Sequence, residues 1–250
     1  MFNGDTIRIF VIERDIYARQ AMVSYLSWDR RTRVVGTASS PHGMFADKNR
    51  DAALTRLDAV LLDTSLASGA DALAGLIRLI MNQFNDVGVV CLAHQVDAEE
   101  ALAAKAAGAR AYLMREEVGL GLASAVKYAL THPFTVTGEV ARCIAGGSSH
   151  IGPIAVLPER RSFPRLTDRV EQALWLCVVE GLPASIAAEE MGVSVSTVRS
   201  YIKEGYRILE AEDDTIYPMD ASPAERAFLR YTMLDQPYYV KPADPVGSAA

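Results

Sequence analysis

Asp63 closes the apolar run Ala59-Val60-Leu61-Leu62. A run of that kind suits an interior strand of a parallel sheet, covered on both faces. A carboxylate at its end stands at the C-terminal edge, where open α/β sheets hold ligands and do chemistry. A second group is cationic and hydroxylic: Ser196, Thr197, Arg199, Ser200 and Lys203 follow closely on Gly192 and Ser194. Placed in the first turns of a helix, Arg and Lys reach guanine edges or phosphates, and hydroxyls reach phosphates. The same residues on a lone helix would serve as a solvated face. Other chemistries find no support. Cys91, Cys143, Cys177 and the histidines His42, His94, His132 and His150 show no zinc-ligand spacing. No nucleophile is visibly matched with a base, so neither an enzyme nor a bound cofactor is expected.

The elements that must position these groups follow from periodicity. Ile7 to Ile12 is a β-rich run, and Ile16 to Leu26 carries Ala18, Met22 and Leu26 at helical spacing. Further strands are predicted over 33–37, 58–63, 87–92 and 110–114, with helices near 70–82, 97–107 and 116–130. Strands alternating with helices give an α/β fold of the flavodoxin-like, doubly wound kind, with a five-stranded parallel sheet. At 250 residues there is room for a second domain. Half the residues are hydrophobic and 22% are charged, a globular composition. No apolar run reaches the roughly 18 residues that would span a bilayer. Met1 to Asp5 lack the basic and apolar regions of a signal peptide. With an odd number of scattered cysteines, the chain reads as cytoplasmic with free thiols and no membrane partner. The net charge of −6 means that any nucleic-acid contact must come from a local patch.

The segment Asp58-Ala59-Val60-Leu61-Leu62-Asp63, together with Ala106-Ala107-Gly108-Ala109-Arg110-Ala111-Tyr112-Leu113, resembles the receiver domain of NarL/FixJ-type response regulators. The resemblance spans about residues 1–130 and implies that Asp63 is the phosphoacceptor position. It also implies an acidic pair that binds Mg²⁺, a Thr or Ser ending the fourth strand, and a Lys ending the fifth. Here the acidic pair falls on Glu13 and Arg14, with Asp15 next; the hydroxyl falls on Ala93 and the lysine on Arg115. A fixed charge on Arg14 at about 4 Å from Mg²⁺ would be repelled by about 8 kcal/mol at an effective dielectric near 20. Ala93 donates no hydrogen bond, and Arg115 lacks the point-like charge of lysine. The receiver pocket is therefore read as degenerate. Three uses stay open: Asp63 accepts phosphate through an altered pocket; Asp63 is salt-bridged to Arg14 or Arg115 in a pseudo-receiver; or the pocket takes a small molecule.

Residues 131–165 read as a linker, with the Gly/Ser-rich stretch from Gly146 and the prolines Pro158 and Pro164. Within it, Val136 to Ile144 could form a short helix on the first domain. Arg160, Arg161 and Arg165 form a basic patch, either solvated or touching DNA backbone.

Over 166–211 the expectation is an all-α helix-turn-helix domain. Thr167 opens a helix running to Glu180, Gly181 stops it, Ala184 to Met191 is a short helix ended by Gly192, and Ser194 caps a third. In such an arrangement the helix after the turn enters the major groove. Leu166-Thr167-x-Arg169, Glu180-Gly181-Leu182 and Ser194-x-x-Thr197-Val198-Arg199 resemble the LuxR/GerE-type domain that follows receivers, and also region 4 of sigma factors. The resemblance implies a transcription regulator: double-stranded DNA as partner, contacted by Ser196, Thr197, Arg199, Ser200 and Lys203, and a homodimer on two half-sites. The alternative function class is a protein-interaction module that does not bind DNA. In residues 212–250, Ser222-Pro223-Ala224-Glu225 begins a helix expected to reach Leu234. That helix could cover the helix-turn-helix, meet a second subunit, or contact RNA polymerase or another regulator. The end from Lys241 is expected to be disordered.

Overall fold

The computed structural model describes residues 6–48, 56–84, 86–145, 152–213, 217 and 219–235. The readings of Met1 to Asp5, of the Gly/Ser stretch from Gly146 to His150 and of the tail from Lys241 lie outside these residues. Strands β1 (Ile7–Ile12), β2 (Thr32–Ala38), β3 (Ala59–Asp63), β4 (Gly88–Ala93) and β5 (Ala111–Met114) alternate with helices α1 (Ile16–Trp28), α2 (Pro41–Lys48), α3 (Ala70–Gln83) and α4 (Ala98–Ala106). After β5 the expected single helix is broken into α5 (Arg115–Val118), a 3₁₀ turn at Gly119–Gly121 and α6 (Leu122–Thr131). Gly119, at φ 46°, is the breaking point.

The strand order is β2-β1-β3-β4-β5-β6-β7, and all neighbours pair in parallel. Alternate residues of each strand face opposite sides. Val60 and Leu62 enter the core under α3 and α4, while Ala59 and Leu61 enter the core under α1 and α6. Burial on both faces is why the strands read as continuous apolar runs. The doubly wound α/β class is therefore as expected, but among the described residues the sheet has seven strands and not five. The two additions, β6 (Thr135–Val136) and β7 (Ala155–Val156), flank α7 (Gly138–Ala145). All three fall in the segment read as a linker. The short helix anticipated there is α7, which buries Val140 and Ile144. Strands two residues long carry too little alternation to register in a sequence pattern.

The helical part comprises α8 (Asp168–Leu174), α9 (Ala184–Met191), α10 (Val195–Ala211) and α11 (Pro223–Tyr231). Thr167 has cap-like backbone angles, but its side chain makes no cap bond. The first helix also gives way to a wider π-helical turn at Trp175–Val179. By contrast, Ser222 accepts from Glu225 N at 3.1 Å, the cap its Ser-Pro-x-Glu pattern predicts. α11 stops at Tyr231, short of Leu234. The chain from there pairs back: Arg161 N donates to Met233 O at 2.9 Å and Asp235 N to Glu159 O at 2.7 Å.

This C-terminal segment touches both halves. Phe228 meets Trp28 at the end of α1, and Arg30 is ion-paired with Asp220 and Glu225. Leu234 is buried among residues of the α/β core, while Leu120 packs into the helical core. Inside the segment, the Asp213 carboxylate accepts from Arg230 Nε at 2.9 Å and from Tyr217 Oη at 2.7 Å.

Candidate functional site

Two places answer to the residues singled out in the sequence. The first is the C-terminal edge of the sheet. β1 ends into Glu13 and β3 ends on Asp63, each only 2% exposed. Buried carboxylates need donors, and these are found locally. Ser65 N donates to Asp63 Oδ1 at 3.0 Å and Ser65 Oγ to Oδ2 at 2.5 Å. Asp15 N donates to Glu13 Oε1 at 2.8 Å. Arg115, the residue after β5, supplies the charge. Its Nη2 lies 3.0 Å from Asp63 Oδ1 and also bonds Glu13 Oε2. One guanidinium thus serves two buried carboxylates, and the strand ends carry all three side chains to the same edge.

Of the two arginines expected as partners for Asp63, Arg115 makes the pair. Arg14 is exposed, and among the described residues no ion pair joins it to Asp63. The sharp turn after β1 has a physical cause: Asp15 caps α1, accepting from Ala18 N at 2.7 Å, which leaves Arg14 on the outside. Arg14 thus stands outside the group formed by Glu13, Asp63 and Arg115. Ala93 ends β4 beside the site, buried and without a polar side chain. Two contributors were missed. Ser65 stands two residues beyond Asp63, the spacing of a side chain–backbone turn, which was a usable signal. His94 Nε2, with the side chain 58% exposed, is 3.9 Å from Asp63 Oδ1. Its only signal was its position just past β4.

The donor set does not fit a divalent cation. Asp15 is committed to a helix cap, and a guanidinium nitrogen bonds both remaining carboxylates. Among the described residues there is no cluster of three or more His, Cys, Asp or Glu side chains suited to a metal. A hard cation such as Mg²⁺ takes oxygen ligands in a near-octahedral shell, and these oxygens already hold Arg115.

The second place is the outer face of α10. Gly192 adopts φ 64°, ψ 35°, the left-handed conformation that ends α9 and turns the chain. Ser194 then caps α10 by accepting from Thr197 N at 3.1 Å. Val198 and Leu209 are fully buried, and Ile202 packs against the cluster that holds Val198, so the helix presents its opposite side outward. Ser196, Arg199, Ser200 and Lys203 are exposed there. Thr197 is half-buried, and its hydroxyl lies 2.7 Å from Ser194 Oγ, within the cap. Among the described residues no carboxylate is ion-paired with Arg199 or Lys203. Glu204, a nearby acid that would oppose phosphate, is bound by Arg207 at 2.6 Å. That pairing holds its carboxyl below the usual range.

The basic patch of Arg160, Arg161 and Arg165 is largely used internally. Arg160 lies over the Tyr231 ring, Arg161 is 3.4 Å from Asp213, and Arg165 is 3.9 Å from Glu212. These partners come from far along the chain, which is why the patch looked free in the sequence.

Residues 158–209, which include α8, α9 and most of α10, match the family model described as sigma-70, region 4. A comparison with curated proteins finds no match. Among solved structures the chain is similar to the RcsB response regulator of Salmonella typhimurium, at 14% identity over 84% of this chain and 95% of that one, with a TM-score of 0.49. It is similar to a response regulator from Thermotoga maritima, at 25% identity over 51% of this chain and 99% of that one, with a TM-score of 0.43. A LuxR family DNA-binding response regulator from Silicibacter pomeroyi is similar at 17% identity over 51% and 94%, with a TM-score of 0.42. No helix among the described residues is long and apolar enough to cross a membrane.

Proposed function

We propose that this protein is a DNA-binding transcription regulator of the response-regulator type, whose α/β domain works without aspartyl phosphorylation. The observation that carries the reading is the outer face of α10, which follows a left-handed glycine turn. It offers Arg199 and Lys203, not ion-paired among the described residues, together with the exposed Ser196 and Ser200. That is the placement from which a second helix reads a major groove. The match of residues 158–209 to sigma-70 region 4 supports a helix-turn-helix. A single module binds weakly, so a homodimer on two half-sites belongs to the proposal.

Independence from phosphorylation is supported by Arg115. A cation already engages the carboxylates that phosphoryl transfer would need for its metal, and Ala93 supplies no hydroxyl. Asp63 then serves as an anchor of one fixed arrangement.

The test of the first part uses the full chain. Fragments selected from genomic DNA are titrated in a mobility-shift assay across a salt series. Saturable binding with log K falling linearly against log salt supports the reading. No binding at low salt leaves a protein-interaction module. The second part is tested by incubation with acetyl phosphate and Mg²⁺, followed by intact-mass measurement. A gain of one phosphoryl group that disappears in Asp63→Ala would overturn it.

A further inference from the structure

The N-terminal edge of the sheet, opposite the Asp63 edge, carries a group of charges that neither site above engages. A hollow of about 250 Å³ there is lined by Thr6, Arg8, Arg33, Arg56 and Asp58. Arg8 of β1 and Arg33 of β2 are register partners in a parallel pair, on strands about 4.8 Å apart. The next residue of each strand, Ile9 and Val34, packs in the core under α1 and α6. Side chains alternate along a strand, so both arginines rise side by side on the other face. Arg56 comes just before β3, and the order β2-β1-β3 sets Arg8 between Arg33 and Arg56. Like charges at such spacing repel. The side chains of Arg33 and Arg56 are exposed and have neither ion pair nor hydrogen bond among the described residues. Asp58 gives one carboxylate oxygen to Arg8 N at 2.7 Å and is not ion-paired with a guanidinium among the described residues.

Three guanidiniums against one carboxylate leave an excess of two positive charges lining the hollow. The surrounding charges do not cancel it. Arg31 and Asp29 pair with each other, and Arg110 and Asp86 line another hollow along this edge as one charge of each sign. In the adjoining sequence, Asp47 with Lys48 and Arg50 with Asp51 balance in sign. Asp5, next to Thr6, lies outside the described residues, and counting its carboxylate still leaves the excess positive. A phosphate group carries about −1.5 to −2 at pH 7 and presents three strong acceptor oxygens. Guanidinium forks match that geometry bidentately, and Thr6 adds a hydroxyl. The hollow is smaller than the roughly 300 Å³ at which pockets for drug-sized ligands begin, so its occupant is compact. From this geometry we infer that the hollow binds a phosphate group, either inorganic phosphate or the phosphate of a small monoester, through Arg33, Arg8 and Arg56. Asp58 and Asp63 stand about 16 Å apart at the rise of a strand, so this site is distinct from that of Arg115. It also lies on the face away from α1, where the C-terminal segment packs. The inference stands whether or not α10 meets DNA.

Isothermal titration calorimetry on the full chain at low salt tests it with inorganic phosphate, glucose 6-phosphate and adenosine monophosphate, against acetate and adenosine. The expected result is saturable binding of at least one phosphate compound at millimolar concentration or below, at least tenfold tighter than acetate. An ester that binds more tightly than inorganic phosphate identifies a monoester as the occupant, and the reverse identifies the free ion. Arg33 and Arg56 are exposed, so Arg33→Gln combined with Arg56→Gln spares the core and should weaken binding at least tenfold. Asp58→Asn keeps an oxygen for Arg8 N and removes the opposing charge. It should tighten binding severalfold, and it covers the case in which the double variant fails to fold. Arg199→Ala combined with Lys203→Ala, on α10, should leave phosphate binding unchanged. The inference is overturned if no phosphate compound saturates, if acetate binds as tightly, or if adenosine matches its monophosphate. It is equally overturned if the folded Arg33 and Arg56 variant binds as well as the parent, or if binding is lost with Arg199 and Lys203.

Discussion

Arg115 Nη2 lies 3.0 Å from Asp63 Oδ1, and the same nitrogen bonds Glu13 Oε2. The two carboxylate side chains are 1% and 3% exposed and that of Arg115 15%. The ends of β1, β3 and β5 are therefore tied at one point by charge, in a place where charge is expensive to leave unmatched. Removing Arg115 strands two buried anions. Arg115→Met is expected to cost about 3–5 kcal/mol of folding stability, the range for breaking a buried pair by removing one partner. Urea unfolding followed by circular dichroism measures it. Adding Glu13→Gln and Asp63→Asn to the same chain should return much of the loss, because the stranded charges are then gone.

Gly205 tests the packing that orients α10. A Cβ at that position would sit 2.8 Å from three side-chain atoms of Leu174, which is buried in α8 and cannot swing away. Alanine gains about 1 kcal/mol over glycine in a helix interior, whereas overpacking costs about 1–3 kcal/mol. Gly205→Ala should therefore lower stability slightly. Pairing it with Leu174→Val should turn the change neutral or favourable, as read by thermal unfolding.

Phe228 is where the C-terminal helix meets α1: its ring centroid is 5.4 Å from that of Trp28, with planes at 83°. Phe228 is buried, and truncation of such a residue costs about 3–5 kcal/mol. Phe228→Ala should destabilise by that amount and shift the tryptophan emission to longer wavelength as Trp28 becomes more hydrated. An unchanged emission would mean that the contact is not made in solution.

On the proposed DNA face, Lys203→Ala should weaken binding nearly uniformly across sequences. It should reduce the salt slope by about 1 for each bound subunit, as a phosphate contact does. Arg199→Ala should instead alter sequence preference if it reaches a base edge. Anisotropy titrations over several salt concentrations separate the two.

Alkaline pH should destabilise the fold. Burial pushes the Cys91 thiol from 9.0 up to about 12, and burial also raises Tyr231 from 10.0 to about 12. Tyr112 is raised further still, by burial and then by the charge of Glu100. Each group holds its proton longer in the folded chain than in the unfolded one. Their stabilising contribution is therefore complete below about pH 9 and is lost as pH rises toward 12. Denaturation midpoints between pH 8 and pH 11 should fall accordingly. In the native protein at pH 8, a thiol reagent should modify exposed Cys143 well before buried Cys91.

The sequence by itself determined the parts that rest on local patterns. The apolar runs fixed the five main strands, and the caps Ser194 and Ser222 and the turn glycine Gly192 fixed helix starts and stops. They did so because backbone geometry and burial on both faces constrain residue type position by position. The exposed face of α10 was legible for the same reason: helical spacing separates Ser196, Arg199, Ser200 and Lys203 from Val198 and Ile202. Tertiary structure decided what depends on residues far apart in the chain. It chose Arg115 over Arg14 as the partner of Asp63, a choice made by the capping of α1 through Asp15. It also added β6 and β7 to the sheet, and it drew Arg160 and Arg161 onto Tyr231 and Asp213. Pairings of this kind follow from where strand ends and helix ends meet in space, and no spacing along a single chain encodes that distance.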